Sequence, residues 1–255
     1  LSGIVKRSTD QLEGMDTGFT PLGIEVVREM LSGQVGAVIL PDLKHMSARA
    51  RKEFYTLREA GAFGVRDFPI LISHAACNGL ISFDDAVPGG LQTAKLLNPA
   101  SINFFDEEII RLAKSDGIIG LQLDERRIAS REALQNTPRS LYRNKIMHYR
   151  AELLWRQIQH IAETLDRAGL FAWDCMAIGS DFDGIIDSLN GFWTAEELPF
   201  LADFTERHAF NYLNSAQWSV PGNAIKADEV VRRIFSGNGH RFLRKYLRDS
   251  RALPA

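Results

Sequence analysis

The stretch that decides the fold is residues 175–184, C-M-A-I-G-S-D-F-D-G. Its apolar run at 176–178 has the short, uninterrupted hydrophobic character of a parallel strand that is covered on both faces. A glycine follows the run and another follows the acids, and glycine allows backbone angles and close approaches that side chains forbid. Asp181 and Asp183 are therefore expected at the carboxyl end of a buried strand, where α/β proteins bind ligands. The alternative is a surface turn with solvated acids.

The same kind of apolar run occurs at residues 36–45, 68–74 and 117–123. Helical patterns and caps predict helices at 21–32, 46–61, from 106, 143–168, 195–213 and 227–247, the last interrupted at 237–239. Residues 75–105 are rich in Gly, Pro and Asn and are predicted to form a long loop. Strands that alternate with helices indicate an α/β fold with a parallel sheet and right-handed crossovers.

Composition places the chain among globular proteins with one large core. It has 255 residues, 45% hydrophobic and 24% charged, with a net charge of −2. It has no basic run, so nucleic acid is not an expected partner. No apolar stretch approaches the ~20 residues that span a bilayer, so a soluble protein is expected, and a signal peptide would have to precede Leu1. Cys77 and Cys175 are predicted to be buried thiols and leave the cellular compartment open.

Two histidines end successive predicted strands. His45 is the last residue of the run 36–45 and His74 is the last of 68–74, so both are expected on one rim of the sheet, with Asp181 two strands beyond His74. Neutral imidazole is a common zinc ligand, and carboxylates complete such sites. A single histidine in this place is more often satisfied by a backbone hydrogen bond. Two at equivalent strand ends, with an acid at a third, favour a metal site.

The residue types suit metal-assisted hydrolysis. A bound zinc ion lowers the pKa of its water to about 7, and a carboxylate such as Asp181 can carry the proton to a leaving group, a step worth about 10²–10⁴-fold. Asp183 is expected to do no more than brace the turn. The chain has no nucleophile elbow and no phosphate-binding glycine loop. Cys77 lies three residues after His74, but no second histidine is placed as its base, which disfavours a thiol nucleophile.

Five segments resemble the membrane (renal) dipeptidase family of metallopeptidases, in the family's order. They are G-F-T-P-L-G-I-E-V-V-R-E-M from Gly18, P-D-L-K-H-M-S from Pro41, P-I-L-I-S-H-A-A from Pro69, A-I-G-S-D-F-D-G from Ala177 and V-V-R-R-I-F-S-G-N-G-H-R-F-L from Val230. The resemblance implies a (β/α)8 barrel of the amidohydrolase type that holds two zinc ions and hydrolyses dipeptides and some related amides. This chain would supply about the last four β-α units and the C-terminal helices.

The resemblance also implies roles for individual residues. His45 and His74 match the two histidines that bind one zinc ion, and Asp181 matches the aspartate that contacts the catalytic water. The implied cofactor is Zn²⁺, as one or two ions, with another divalent metal as the alternative.

The substrate-binding residues depart from the family. An Arg-Asn pair, whose arginine grips the substrate carboxylate in the family, corresponds here to Ile102 and Asn103. Asn103 keeps the amide. Arg126 and Arg127, which follow the third predicted strand, are the candidates to replace the lost arginine.

Four β-α units do not close a barrel. The family's His-x-Asp pair and its bridging glutamate have no counterpart in this sequence, so residues 1–255 are expected to be the C-terminal portion of a single metal-dependent hydrolase barrel domain. The expected partners are an N-terminal half, in the same protein or a tightly bound chain, and a dipeptide or other small-molecule substrate. Two alternatives stay open: a non-catalytic barrel that serves as a binding or scaffold module, and a hydrolase of a non-peptide amide or lactone, which Ile102 would favour.

Overall fold

The computed structural model describes residues 16–34, 37–65 and 67–247. The strands of this part are β1 (Leu71–Ala75), β2 (Ile118–Leu121) and β3 (Met176–Ile178). Its α-helices are α1 (Pro21–Ser32), α2 (Ala48–Glu59), α3 (Asp106–Lys114), α4 (Glu125–Ile128), α5 (Arg131–Asn136), α6 (Arg143–Arg167), α7 (Leu198–Leu213), α8 (Ala227–Arg232) and α9 (Asn238–Tyr246). Short 3₁₀ helices lie at Gln92–Leu96, Ala195–Glu197 and Pro221–Asn223, and a π-helical turn at Arg233–Gly237.

The first two helices begin where their capping residues predict. The side chain of Thr20 accepts a hydrogen bond from the backbone N–H of Gly23 at 3.1 Å, and Pro21 occupies the first position of α1. The side chain of Ser47 caps α2 in the same way, by accepting from the N–H of Ala50 at 3.0 Å. Local sequence therefore fixes where both helices begin.

The remaining helices follow the predicted hydrophobic pattern in outline. α6 is the long amphipathic helix predicted at 143–168, and it packs against α7. The glycines at 237–239 do not interrupt the helical course of the chain, because the π-helical turn joins α8 to α9. Two short helices, α4 and α5, were not predicted; they lie between the strand predicted at 117–123 and the helix predicted at 143–168. None of the described helices has the length and apolarity needed to cross a membrane.

The sheet is parallel, with strand order β1-β2-β3. Ile72, Ile119 and Met176 pair across the three strands, and all three side chains are fully buried. This is the burial expected of strands that are covered on both faces. The described part of the chain thus has the predicted α/β fold with a small parallel sheet. The eight-stranded barrel is not confirmed, since these three strands do not close on themselves.

The strand expected at 36–45 is not formed in its described part. This segment pairs with β1 only through one parallel bridge, between Asp42 and Leu71, and through the N–H of Leu43, which donates to the Leu71 carbonyl at 3.0 Å. Pro41 has no N–H group to extend a ladder of hydrogen bonds. The segment nevertheless lies beside β1, so that its carboxyl end reaches the same edge of the sheet.

The backbones of the three strands approach one another closely at Gly120 of β2 and at Gly179, which follows β3. A methyl group added at either position would lie 2.1 Å from the carbonyl oxygen of Ser73 on β1. The Ser73 carbonyl can lie this close to both positions because glycine has no side chain. This holds even for Gly179, although β1 and β3 are not hydrogen-bonded neighbours. The pairing register shifts between Ile72 and Ala75, which marks a bulge in β1. Ser73 and His74 lie within this bulge.

Candidate active site

The structure brings His45 and His74 together, as the sequence predicts. Their Nε2 atoms are 3.1 Å apart, and their ring centroids are 5.0 Å apart with an interplanar angle of 59°. Two imidazole nitrogens on one tetrahedral zinc ion, each at 2.0–2.1 Å from the metal, would be about 3.3 Å apart. The observed separation therefore fits two ligands of a single metal ion.

Asp42 ties together the two segments that carry these histidines. Its Oδ1 accepts hydrogen bonds from the backbone N–H of Lys44 at 3.1 Å and from that of Ser73 at 3.0 Å. The backbone of His45 then turns into the left-handed region, with φ of 68°, which is uncommon for a residue with a side chain. Asp42 was not among the predicted site residues. The available signal was an aspartate two residues before Lys44, the spacing of an Asx turn.

The sequence predicts His74 as the last residue of its strand. In the structure it is the fourth of the five residues of β1. It lies in the bulge, and its Nδ1 is 2.8 Å from the hydroxyl oxygen of Ser73. A proton on Nδ1, donated to that hydroxyl, leaves the lone pair of Nε2 available to a metal. Burial lowers the pKa of His74, although the nearby Asp181 opposes this shift. The neutral, metal-binding form of the imidazole is therefore favoured.

Asp181 approaches the histidine pair from beyond the end of β3. Its Oδ2 is 3.6 Å from Nε2 of His74. With φ of 59°, its backbone turns so that its carbonyl accepts from the N–H groups of Gly184 and Ile185, each at 2.8 Å. A Cβ atom on Gly184 would lie 2.4 Å from Oδ1 of Asp181, so this glycine leaves room for the carboxylate. Asp183, in contrast, is exposed.

The two histidines fit part of a metal coordination shell. Zinc in proteins usually has four ligands, and no group of three or more His, Cys, Asp or Glu within residues 16–34, 37–65 and 67–247 is arranged to hold a metal ion. The cysteines do not contribute: Cys77 and Cys175 are both buried and unpaired, and burial raises the pKa of each thiol. This agrees with their prediction as buried thiols and disfavours Cys77 as a nucleophile.

The three predicted substrate-binding residues, Asn103, Arg126 and Arg127, differ in burial and in the groups that they contact. Asn103 is fully buried, and its side-chain amide donates to two backbone carbonyls, one of them that of Arg127 at 2.7 Å. Arg126 forms ion pairs with Asp124 at 3.5 Å and Asp187 at 3.3 Å. The side chain of Arg127 is exposed. Asn103 thus stabilises the loop, and the role of these three residues in binding substrate stays a prediction.

A cleft of about 710 Å³ opens beside the histidine pair. Its lining includes His45, Ser47, Ser101 and Ile102. Ile102 stands at the position where the resemblance led us to expect an arginine. This side of the cleft therefore presents an apolar side chain to a ligand and not a cation.

Lys44 is a residue of the site that the sequence analysis missed. It is only 7% exposed, which is unusual for lysine. Burial lowers its pKa to about 8; the cation of Arg127 also lowers it, and Asp181 acts in the opposite direction. Lys44 in turn lowers the pKa of His74. The side chain therefore lies within electrostatic range of the candidate site, and the sequence signal was its place directly before His45.

Solved structures of metallopeptidases share this fold. Dipeptidase AC, a family M19 metallopeptidase, superposes with a TM-score of 0.57 at 18% identity, over 94% of this chain and 52% of its own length. A metallopeptidase from Rhodobacter sphaeroides, solved with a phosphinate mimic of the dipeptide L-Ala-D-Ala, gives a TM-score of 0.56 at 18% identity, over 91% of this chain and 49% of its own. The chain thus spans about half the length of these two proteins. A comparison with curated proteins gives no match.

The family is shown by sequence. The sequence model of the membrane dipeptidase family, peptidase family M19, matches residues 2–217 of this chain. The matched range contains both converging histidines and the glycine-flanked turn of Asp181, which were quoted from the sequence as the segments that resemble this family. The chain belongs to the membrane dipeptidase family of metallopeptidases.

Proposed function

We propose that this chain is part of a metal-dependent hydrolase that cleaves dipeptides or related small amides, with one or two Zn²⁺ ions as its native metal. The observation that carries the proposal is the approach of His45 Nε2 to His74 Nε2 at 3.1 Å, with Oδ2 of Asp181 3.6 Å from the latter. Membership of the membrane dipeptidase family supports the substrate class. The dipeptide mimic bound to the Rhodobacter sphaeroides structure is consistent with it.

Different side chains of the site carry out different parts of the proposed reaction. When bound, a divalent metal ion lowers the pKa of a coordinated water and polarises the scissile carbonyl. His45 and His74 would hold the ion through Nε2, and Nδ1–H of His74 donates a hydrogen bond to the hydroxyl oxygen of Ser73, which fixes the direction of that ring. Asp181 accepts the proton of the attacking water at Oδ2 and delivers it to the leaving amine.

The same proposal places the described sheet in a larger (β/α)8 barrel, of which residues 1–255 form the C-terminal portion as one domain. The isolated Asp42–Leu71 bridge supports a continuation of the sheet beyond β1. Unpaired sheet edges favour association with other strands, and further strands, in the same protein or a tightly bound chain, would close the barrel and supply the remaining metal ligands. The match to only about half of each related structure is consistent with this arrangement.

Metal analysis of histidine variants tests the proposal. In the full-length protein, His45→Ala and His74→Ala should each remove about one metal equivalent and nearly all hydrolysis of the dipeptide L-Ala-D-Ala, because each removes a ligand of the same ion. His240→Ala is the matched control, since His240 is exposed on α9. Unchanged metal content in both site variants would show that the ligand assignment is wrong. A metal-loaded wild-type protein that cleaves no dipeptide or small amide would refute the activity.

A further inference from the structure

We infer that two copies of this chain associate as a symmetric dimer in which their α7 helices pack antiparallel to each other. The feature that carries the inference is a stripe of four exposed residues along α7: Phe200, Asp203, Arg207 and Phe210. Their spacing of three, four and three residues is that of the core positions of a coiled coil. This α7 stripe can therefore meet a second helix along its whole length.

The α7 stripe lies on the solvent side of its helix. α7 packs against α6 and α8 through another face, whose buried residues are Leu201, Phe204, Thr205 and Ala209. Since an α-helix turns by about 100° per residue, the stripe lies almost opposite that face. Phe200 is 52% exposed and Phe210 is 60% exposed. Two exposed aromatic rings on one stripe are typical of a surface that binds another protein.

The order of residues in the stripe is complementary to its own reverse. Phe200 and Phe210 are equally far from Thr205 along the chain, and so are Asp203 and Arg207. A two-fold axis at the level of Thr205 places Phe200 beside the partner's Phe210 and Asp203 beside the partner's Arg207, and each contact occurs twice. Parallel helices would instead bring like charges together. The pattern thus selects a second copy of this chain, in the antiparallel orientation.

The two charged residues of the stripe are available for such contacts. Among the residues that the structure describes, neither Asp203 nor Arg207 has an ion-pair partner, although the two are one helical turn apart. The guanidinium of Arg207 lies over the ring of Phe204, 4.9 Å from its centroid. This contact holds the cation at the surface of α7 without supplying an acceptor for its N–H groups. The carboxylate of Asp203 on a second copy would supply one.

Two adjoining grooves give room for the aromatic rings of a second copy. One groove, of about 600 Å³, is lined in part by Phe210, and the other, of about 370 Å³, in part by Phe200. Both are also lined by Asp203 and Arg207, so they form one channel between α6 and α7. In the antiparallel dimer, the partner's Phe200 enters the groove beside Phe210, and the partner's Phe210 enters the groove beside Phe200.

A dimer of modest affinity is expected. α7 has 16 residues and is therefore about 24 Å long. One helix pair of this length buries less than the ~800 Å² per partner of a standard interface, so Kd should lie in the micromolar range. Sedimentation equilibrium of the full-length protein at about 1–100 µM covers this range.

Reversal of the stripe charges tests the partner and the orientation together. Asp203→Arg and Arg207→Asp should each raise Kd at least about 10-fold, because each change turns both attractive pairs into like-charge pairs. The double variant Asp203→Arg/Arg207→Asp should return Kd to within about 3-fold of wild type, since both pairs are restored with their signs exchanged. An equimolar mixture of the two single variants should also dimerise, as a mixed pair, because one copy then carries two cations and the other two acids.

Asp228→Arg is the matched control. It makes the same change of charge at an exposed position of α8 outside the stripe and should leave Kd unchanged. An unchanged melting temperature in the stripe variants establishes that their fold is intact.

A wild-type protein that stays monomeric at about 100 µM, or a dimer that both single variants leave intact, would overturn the inference. Dissociation in the single variants without recovery in the double variant would exclude the antiparallel pairing. A monomeric wild type whose melting temperature falls in both single variants would show that another part of the same protein covers the stripe, and the inference falls in that case too. Dimerisation does not depend on the proposed hydrolysis: a dimer that follows this pattern but cleaves no dipeptide would refute the proposed function alone.

Discussion

Arg51 and Glu108 form a buried ion pair, with Nε of Arg51 2.8 Å from Oε1 of Glu108 and the two side chains no more than 1% exposed. The guanidinium also donates to the carbonyl oxygens of Met46, Ser101 and Asn103 at 3.0–3.1 Å. One cation thus joins the segment before α2 to the loop before α3. This arrangement holds the wall of the cleft beside the histidine pair.

Arg51→Met should lower the free energy of unfolding by about 3–5 kcal/mol, because it leaves the carboxylate of Glu108 buried without its partner. The double variant Arg51→Met/Glu108→Leu should cost less than the sum of the two single changes, since it removes both charges together. Urea unfolding followed by circular dichroism measures each value.

A surface ion pair provides the control for this prediction. Arg143 is 63% exposed and contacts Glu197 at 2.8 Å. Arg143→Met should cost at most about 1 kcal/mol, because exposed pairs are screened by water. Equal losses in Arg51→Met and Arg143→Met would show that the buried pair does not hold the loop in place.

Gly120→Ala should destabilise the protein by about 1–3 kcal/mol or more and weaken metal binding. The added methyl group would lie 2.1 Å from the backbone carbonyl of Ser73, which cannot move without shifting the bulge that carries His74. Thermal unfolding and a competitive zinc titration of the full-length protein measure the two effects.

Gly239→Ala is the matched glycine control. In α9 an added Cβ atom would be 3.9 Å from that of Ala177, an ordinary contact. Alanine is also the better helix former, by about 0.8–1.0 kcal/mol. This variant should therefore be as stable as the wild-type protein or more so. A stable Gly120→Ala protein with wild-type zinc affinity would contradict the close approach of β1 to β2.

Asp116 makes a pH-dependent contribution to stability. Partial burial raises its pKa, but hydrogen bonds from Tyr246 at 2.6 Å, Lys245 at 2.9 Å and Arg241 at 2.8 Å outweigh this effect and bring the pKa from 3.8 to about 2. A depressed folded-state pKa stabilises the protein above the unfolded-state value. The contribution is therefore present above about pH 4 and disappears as the pH falls through about 2.

Asp116→Asn isolates this charge. Asparagine tolerates the left-handed backbone of this position, with φ of 53°. Because the carboxylate is 37% exposed, the variant should cost at most about 1 kcal/mol at pH 7. The difference from wild type should shrink when urea unfolding is repeated at pH 4, 3 and 2. Asp203→Asn, on an exposed position of α7, is the control. A difference that stays constant over this range would exclude the carboxylate as its source.

Much of the fold could be predicted because its signals are local. The apolar run at 176–178, the caps of α1 and α2 and the hydrophobic spacing of α6 each depend on a few neighbouring residues. The convergence of His45 and His74 was predictable for a related reason, since parallel strands present their carboxyl ends at one edge of the sheet.

The remaining features depend on contacts between distant segments. The bulge at Ser73 and His74 lies where Gly120 and Gly179 leave room for the carbonyl of Ser73, and no pattern within 68–74 reveals this contact. The buried side chain of Asn103 donates a hydrogen bond to the carbonyl of Arg127, 24 residues away. In the same way, an arginine and a carboxylate 57 residues apart form the ion pair beside the cleft.

Asp181→Asn should keep the metal content and melting temperature of the full-length protein and lower kcat by roughly 10²-fold or more. Its Oδ2 lies 3.6 Å from Nε2 of His74, at the site where the proposed reaction transfers a proton, and an amide cannot accept that proton. Asparagine is the informative replacement because it tolerates the left-handed backbone of residue 181, with φ of 59°, whereas alanine would add strain to the loss of charge.

The neighbouring Asp183 supplies the control, since it lies in the same turn and is exposed. Asp183→Asn removes an equal charge two residues away and should leave kcat within about 3-fold of wild type, because the proton transfer depends on position and not on net charge. Steady-state kinetics with L-Ala-D-Ala, together with zinc analysis of each preparation, separate the two variants. Wild-type turnover in Asp181→Asn, or an equal loss in Asp183→Asn, would rule out a proton-transfer role for Asp181.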